Sequence, residues 1–472
     1  MKTYEIYIGG EFRATKTKIN VTNSFNDEII ATTFLADSND LEESICKALQ
    51  VREELKKTPS YQRYEILVQI AEEIKIKRLN LANTLAREAC KPIRYALAEI
   101  DRAYYAFIAA SEESKRLPGE IIQMDWTRAG TGKEGVLKYF PIGLIAGIAP
   151  FNFPMNLAVH KIAPAIASGN PIILKPARST PLSTLELARI IDKTNLPKGA
   201  ISILPMDRMT GNQLVTDDRF KLLTFTGSPQ VGWKMKKDAG KKKVVLELGG
   251  NAGVIVTPTA NIESAVQKCV TGSFAYSGQV CIHVQRIYVQ NTIYDTFISN
   301  FLSLTKKLKY GNPTDESTDI SSMIDEENSI RVEEWVIEAI SQGALVLTGG
   351  NRHGTFYEPT VLTNTMNSMK VCCKEVFGPV TVIEKYEQFE DAVRMINDSI
   401  YGLQAGLFTN SLKEMNYAFD QLEVGGVMVN ETSSYRVDHM PYGGIKDSGL
   451  GREGIKYAIT EMMEPKLLVK DY

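Results

Sequence analysis

The stretch PIGLIAGIAPFNFPMNLAV, residues 141–159, carries no charged side chain and is long enough to cross a bilayer as one helix. Its punctuation argues against that. Pro150 and Pro154 fall in its middle, with Gly143 and Gly147 before them. A continuous helix would lose backbone hydrogen bonds at both prolines. A short strand, a proline-bounded turn and a helix start fit the pattern, and that reading makes the segment the first unit of a sheet.

Outward from this stretch the same alternation continues from 136 to 250. MNLAVHKIAPAIAS has helical spacing and stops at Gly169, a candidate C-cap. PIILKP reads as a strand, and STPLSTLELARIIDKTN opens a helix with a cap residue and Pro181. ISILP, KLLTFTG and KVVLELGG are further strands, with a helix predicted in SPQVGWKMKKDAG. Such alternation predicts an α/β fold, a parallel sheet with helices on both faces. Beyond Gly250, helical runs at 261–276, 292–308 and 326–342 and the strand RIYVQ predict a second α/β unit. Residues 1–118 are expected to be mainly helical after an N-terminal strand pair. The tail EMMEPKLLVKDY holds an apolar strand without a neighbour in sequence, so it must pair with a distant hairpin or another chain.

With 472 residues the chain needs more than one hydrophobic core. A net charge of −2 builds no basic field for nucleic acid or a membrane surface. Six cysteines without a CxxC pair, and only four histidines, argue against a disulfide framework or a metal site. MKTYEIYIGGEF shows no apolar signal region, so a cytoplasmic location is expected.

Four local features carry possible chemistry. GxGxxG occurs at Gly449, Gly451 and Gly454, but too little chain follows for a βαβ unit, so it is not read as a dinucleotide fingerprint. In FTGSPQVG, residues 225–232, a strand ends at a glycine and a helix begins, a geometry that favours a pyrophosphate at free N–H groups. Glu247 ends an apolar strand in VLELGGNAG, at the sheet edge where open α/β folds bind ligands. Cys281, in SGQVCIHVQR, is a nucleophile, a metal ligand or a buried thiol. Taken singly, each has a plain structural explanation.

Together they follow an order. PFNFP at 150–154, LKPA at 174–177, FTGS at 225–228, LELGG at 246–250, GQVC at 278–281, EVFGPV at 375–380 and PYGGIKDSG at 441–449 resemble the aldehyde dehydrogenase superfamily, collinearly over essentially the whole chain. The resemblance implies a Rossmann-type dinucleotide-binding domain from 1–118 and 138–246, an α/β catalytic domain over 247–456, and a small β bridging element from 119–137 and 457–472. That element would join subunits into a homodimer or homotetramer.

The resemblance also implies NAD- or NADP-dependent oxidation of a small aldehyde to its carboxylic acid. Cys281 would attack the aldehyde, and Asn152 with the Cys281 backbone N–H would hold the oxyanion. Glu247 would activate the water that hydrolyses the thioester. Glu375 would hold the nicotinamide ribose, Phe377 would pack beside the ring, and Lys175 would contact the adenine ribose. Further cofactor contacts are expected from Ile148, Ala149, Pro150 and Phe151, from Phe225, Gly227, Ser228 and Val231, and from Gly211, Leu248 and Gly249. Many NAD-preferring relatives carry a glutamate three residues after the lysine; here Arg178 stands, which leans toward NADP because arginine attracts a 2′-phosphate.

For substrate, NLAVHKIAPA with KDSGLGREG looks most like the branch of lactaldehyde, non-phosphorylating glyceraldehyde-3-phosphate and phosphonoacetaldehyde dehydrogenases. Its substrates are small and hydroxylated or anionic, with Arg102, His160 and Arg436 as candidate contacts. Phosphate-binding relatives often place arginine before the cysteine; Val280 there keeps lactaldehyde and semialdehydes level with phosphorylated substrates. Competing readings are a cofactor-independent cysteine esterase using Cys281 and Glu247, and a non-catalytic dinucleotide-binding protein.

Overall fold

The computed structural model describes residues 2–472. The quoted stretch resolves into the end of strand Lys133–Pro141, the strand Ile145–Ile148, a turn, and the helix Pro154–Ser168. Pro154 starts that helix, where its missing N–H costs nothing, and Gly169 ends it at φ +78°. Every residue of the helix is buried. Its polar members, His160 and Lys161 among them, therefore need partners inside the protein.

Ile145–Ile148 lies between Ile172–Lys175 and Leu222–Thr226, parallel to both. Ile201–Ile203 and Lys243–Glu247 extend the parallel block on either side. Strand order reverses between Ile145–Ile148 and Leu222–Thr226, which opens a crevice at their carboxyl ends where such sheets bind ligands. Three antiparallel strands finish this eight-stranded sheet: Ile6–Ile8, Glu11–Arg13 and Gly449–Leu450. Gly449–Leu450 pairs with Leu246 and Glu247, so the late glycine pattern is an edge strand against the site rather than the opening of a βαβ unit.

The N-terminal region departs from expectation. Five strands, Lys2–Thr3, Ile6–Ile8, Glu11–Arg13, Thr17–Asn23 and Glu28–Leu35, precede the four helices that end at Ser114. TKINVTN alternates outward polar residues with buried Ile19, Val21 and Asn23, a two-residue period that marks a strand.

The second sheet has seven strands, with Gly253–Val256 between Arg286–Gln290 and Gln404–Phe408, all parallel. A third, antiparallel sheet joins Gly119–Gln123, Lys133–Pro141 and Met463–Asp471. The C-terminal strand thus pairs within its own chain, from Met463 opposite Pro141 to Asp471 opposite Lys133, and leaves Leu467, Leu468 and Val469 exposed. Among the described residues no helix is long and apolar enough to cross a membrane. No group of three or more His, Cys, Asp or Glu among them could hold a metal ion.

Candidate active site

Cys281 follows a strained turn. Tyr276, Ser277 and Gly278 all have positive φ, at 51°, 54° and 66°. Two non-glycine residues in that region persist only when surroundings fix them. Tyr276 Oη donates to the Ala89 carbonyl at 2.9 Å, and Ser277 Oγ to the Ser321 carbonyl at 2.6 Å. At Gly278 a Cβ would come within 2.1 Å of the Gly378 oxygen, so only glycine lets the cysteine loop press against EVFGPV. A Cβ on Gly250 would meet the Cys281 oxygen at 2.7 Å, which explains the second glycine of LELGG.

Asn152 closes the loop from the other side. Its Nδ2 donates to the Gln279 carbonyl at 2.9 Å, and its own carbonyl accepts from Lys91 Nζ at 2.6 Å. Lys91 is wholly buried and ion-paired with Glu99, whose other oxygen accepts the Met155 and Asn156 N–H groups at 3.0 and 3.1 Å. Burial pushes the Cys281 thiol up to about 11, against the opposing pull of the Tyr442 hydroxyl and Arg436.

Two buried carboxylates sit in this wall. Glu453 accepts from Lys161 Nζ at 3.2 Å and from the Arg436 guanidinium at 3.0 Å, while Lys161 also donates to Thr226 Oγ1 at 2.7 Å. Burial favours its neutral form, but the Lys161 and Arg436 cations outweigh it and hold the carboxyl at about 2. Among the described residues, Glu247 has no hydrogen-bond partner on either oxygen. Burial and then the Glu453 charge push it well above the usual carboxylate range. One neutral acid and one ionised carboxylate therefore share the site, an arrangement suited to proton transfer.

Cys281, Asn152 and Glu247 line one cavity of about 570 Å³. Pro150, Phe151, Gly227, Ser228, Leu248, Gly249, Glu375 and Phe377 line it too. Ser228 starts the helix Pro229–Asp238 without a side-chain cap, so the first N–H groups after Pro229 lack a capping partner where the helix start lines the cavity. Glu375 accepts the Gly250 N–H at 3.0 Å, and burial pushes its carboxyl up to about 7. Phe377 (φ +47°) meets Phe151 edge-on at 5.8 Å. Gly232 packs under Leu248 and Phe225, where a Cβ would clash at 2.4 Å. Gly211 lies against the Lys175 stem, and burial lowers that ammonium's pKa. Ile148, Ala149 and Phe225 are buried, while Arg178 and Val231 are exposed. The uncapped helix start, the close glycines and the carboxyl of Glu375 on the cavity wall fit a dinucleotide.

Of the three candidate substrate contacts, Arg102 and Arg436 line the cavity and His160 does not. Arg102 grips Asp438 with two donors, at 2.7 and 3.1 Å. Burial and the neighbouring Arg436 lower the His160 pKa, so the ring is neutral. Its Nε2 then donates to Asp438 at 2.8 Å and its Nδ1 accepts from Arg436 at 3.5 Å. His160 thus buttresses the two arginines. His283 is also buried, with burial lowering its pKa to about 4, and does not line the cavity.

Sequence reading missed Lys161, Glu453 and Tyr442. Lys161 had one signal, a charge inside an otherwise apolar helix pattern. Glu453 lay in the dismissed glycine motif, and Tyr442 inside PYGG.

A sequence model of the aldehyde dehydrogenase family matches residues 12–468. The chain is 43% identical over 471 residues to the 3-sulfolactaldehyde dehydrogenase of Priestia aryabhattai, covering 99% of this chain and 98% of that protein. It is similar to the crystal structure of aldehyde dehydrogenase 21 from Physcomitrella patens in complex with the reaction product succinate, with a TM-score of 0.98 and 43% identity over 100% of this chain and 98% of that one. The glyceraldehyde-3-phosphate dehydrogenase GapN of Methanocaldococcus jannaschii, complexed with NADP, superimposes with a TM-score of 0.93 at 38% identity, over 98% of this chain and 100% of that one.

Proposed function

This chain belongs to the aldehyde dehydrogenase family, and we propose that it oxidises a small, anion-bearing aldehyde to the carboxylic acid with NAD or NADP. One observation carries the reading. The nucleophile candidate Cys281 and the uncapped turn Gly227–Ser228 open into the same cavity. Neither an esterase nor a binding-only protein needs both there.

The helix start after Ser228 would hold the pyrophosphate, Lys175 the adenine ribose, and Glu375 the nicotinamide ribose. Bound there, the nicotinamide supplies a hydride acceptor. Cys281 adds to the aldehyde carbon, and the Asn152 amide and Cys281 N–H stabilise the oxyanion. After oxidation the acyl group remains on Cys281 as a thioester. Glu247, once its own proton has left through the cavity, then takes a proton from the attacking water as a carboxylate. The exposed Arg178 supports a lean toward NADP.

Arg102 and Arg436 on the cavity wall support an anionic tail on the substrate, as do the sulfonate in one relative's substrate name and the succinate bound in another. The third sheet, with its exposed Leu467–Val469 edge, supports the assignment of 119–137 and 457–472 to subunit joining.

An initial-rate screen tests the function. Sulfolactaldehyde, succinic semialdehyde and lactaldehyde are compared with propionaldehyde, each with NAD and with NADP. Anion-bearing aldehydes should exceed propionaldehyde in kcat/KM by at least about tenfold. No aldehyde-dependent NAD(P)H formation across the panel would refute the reading.

A further inference from the structure

Tyr442 Oη lies 3.0 Å from Cys281 Sγ. The residue is buried, and its backbone is fixed by a reciprocal pair with Glu453, N–H to oxygen at 3.0 Å one way and 2.6 Å the other. The Arg436 guanidinium rests on its ring, 3.6 Å from the centroid. Tyr442 therefore bridges the charged cluster and the sulfur, and its hydroxyl has no other partner among the described residues.

The charged and titratable groups facing the sulfur are few. Arg436 and Tyr442 come from the 430–448 loop, Glu247 from the end of its strand, and Glu375 from EVFGPV. Both carboxyl groups oppose a negative sulfur, while Arg436 favours one. A phenol can donate to or accept from a neutral thiol. Toward a thiolate it can only donate, and a hydrogen bond to the charged form stabilises that form. A cation on the ring face draws density from the ring and makes the O–H a stronger donor.

We propose that the Tyr442 hydroxyl is a catalytic donor that stabilises the Cys281 thiolate, sharpened for that role by the Arg436 guanidinium on its ring. Tyr442 keeps its own proton, and the thiol proton leaves to solvent. This deepens the reading of Cys281 as the nucleophile and rests on it.

The test uses neither aldehyde nor cofactor. Full-length protein and Tyr442→Phe are treated with iodoacetamide from pH 6 to 11. Carbamidomethylation of Cys281 is then followed by peptide mass spectrometry, with exposed Cys46 as the internal control. Sulfur–carbon bond formation expels iodide, so the rate follows the thiolate fraction. Removing the hydroxyl should raise the apparent Cys281 pKa by about one to two units. At pH 8 alkylation should slow at least about tenfold, with Cys46 unchanged. Tyr442→Met also lacks the hydroxyl and stands in if the phenylalanine variant does not fold. Superimposable Cys281 profiles in whichever variant folds would overturn the proposal. A shifted profile in a chain that oxidises no aldehyde would instead refute the proposed function and leave the Tyr442–Cys281 coupling intact.

Discussion

The surroundings of Glu247 and Glu453 differ sharply although both side chains line one cavity and both are nearly sealed from solvent, at 3% and 2% exposure. Around Glu453 a lysine, an arginine and a histidine converge. Around Glu247 no donor among the described residues reaches either oxygen. Burial is matched, so the neighbours separate a carboxyl held at about 2 by its cations from one pushed far above its ordinary 4.5 beside the Glu453 charge. The signs for stability are opposite too. Glu453 contributes stability that is complete above the unfolded value near 4.5 and lost as pH falls toward 2. Glu247 retains a proton that the unfolded chain would release, so its burial costs stability increasingly as pH rises above 4.5. A carboxyl poised as neutral acid can cycle a proton; a fixed anion anchors the cations beside it.

The contrast can be broken at two places, and a third variant tests cofactor preference away from the pair. Glu247→Gln removes the cycling carboxyl and leaves the cations untouched. Deacylation should slow by about 10²–10⁴-fold, with acyl-enzyme accumulating and visible by intact mass. Turnover at the parent rate would remove Glu247 from the mechanism. Lys161→Met attacks the other side, leaving Glu453 with Arg436 and the neutral His160. Stability should fall by roughly 3–5 kcal/mol, read as a lower Tm at pH 8, and the loss should shrink as the pH is lowered and Glu453 protonates. An unchanged Tm would mean that Lys161 does not set the Glu453 charge. The smallest effect is expected from Arg178→Glu, because an exposed charge is screened by solvent. The NADP/NAD ratio of kcat/KM should drop by about tenfold or less; no change would exclude Arg178 as selector.

Much of this was readable in one dimension. The helix and strand periods from 136 to 250 fixed the parallel sheet, because Pro154, Gly169 and Pro181 mark boundaries through local backbone chemistry. Cys281, Asn152 and Glu247 stood out through motif order, and all three line the cavity. The N-terminal strands were undercounted because runs of two or three residues carry almost no periodic signal. Lys161 passed unnoticed because a single lysine in an apolar helix signals only that some partner exists. That partner, Glu453, is 292 residues away.

The amino-acid order by itself therefore determined the α/β class, the candidate nucleophile and the sites of close backbone approach. These depend on local dihedral preference and on motifs a few residues long. Only the tertiary structure decided which carboxyl is neutral, that His160 supports Asp438, and that a tyrosine hydroxyl meets the cysteine sulfur. Those outcomes depend on desolvation and on distances between groups from four separate segments, and a pKa is set by what surrounds a side chain, whatever its neighbours in sequence.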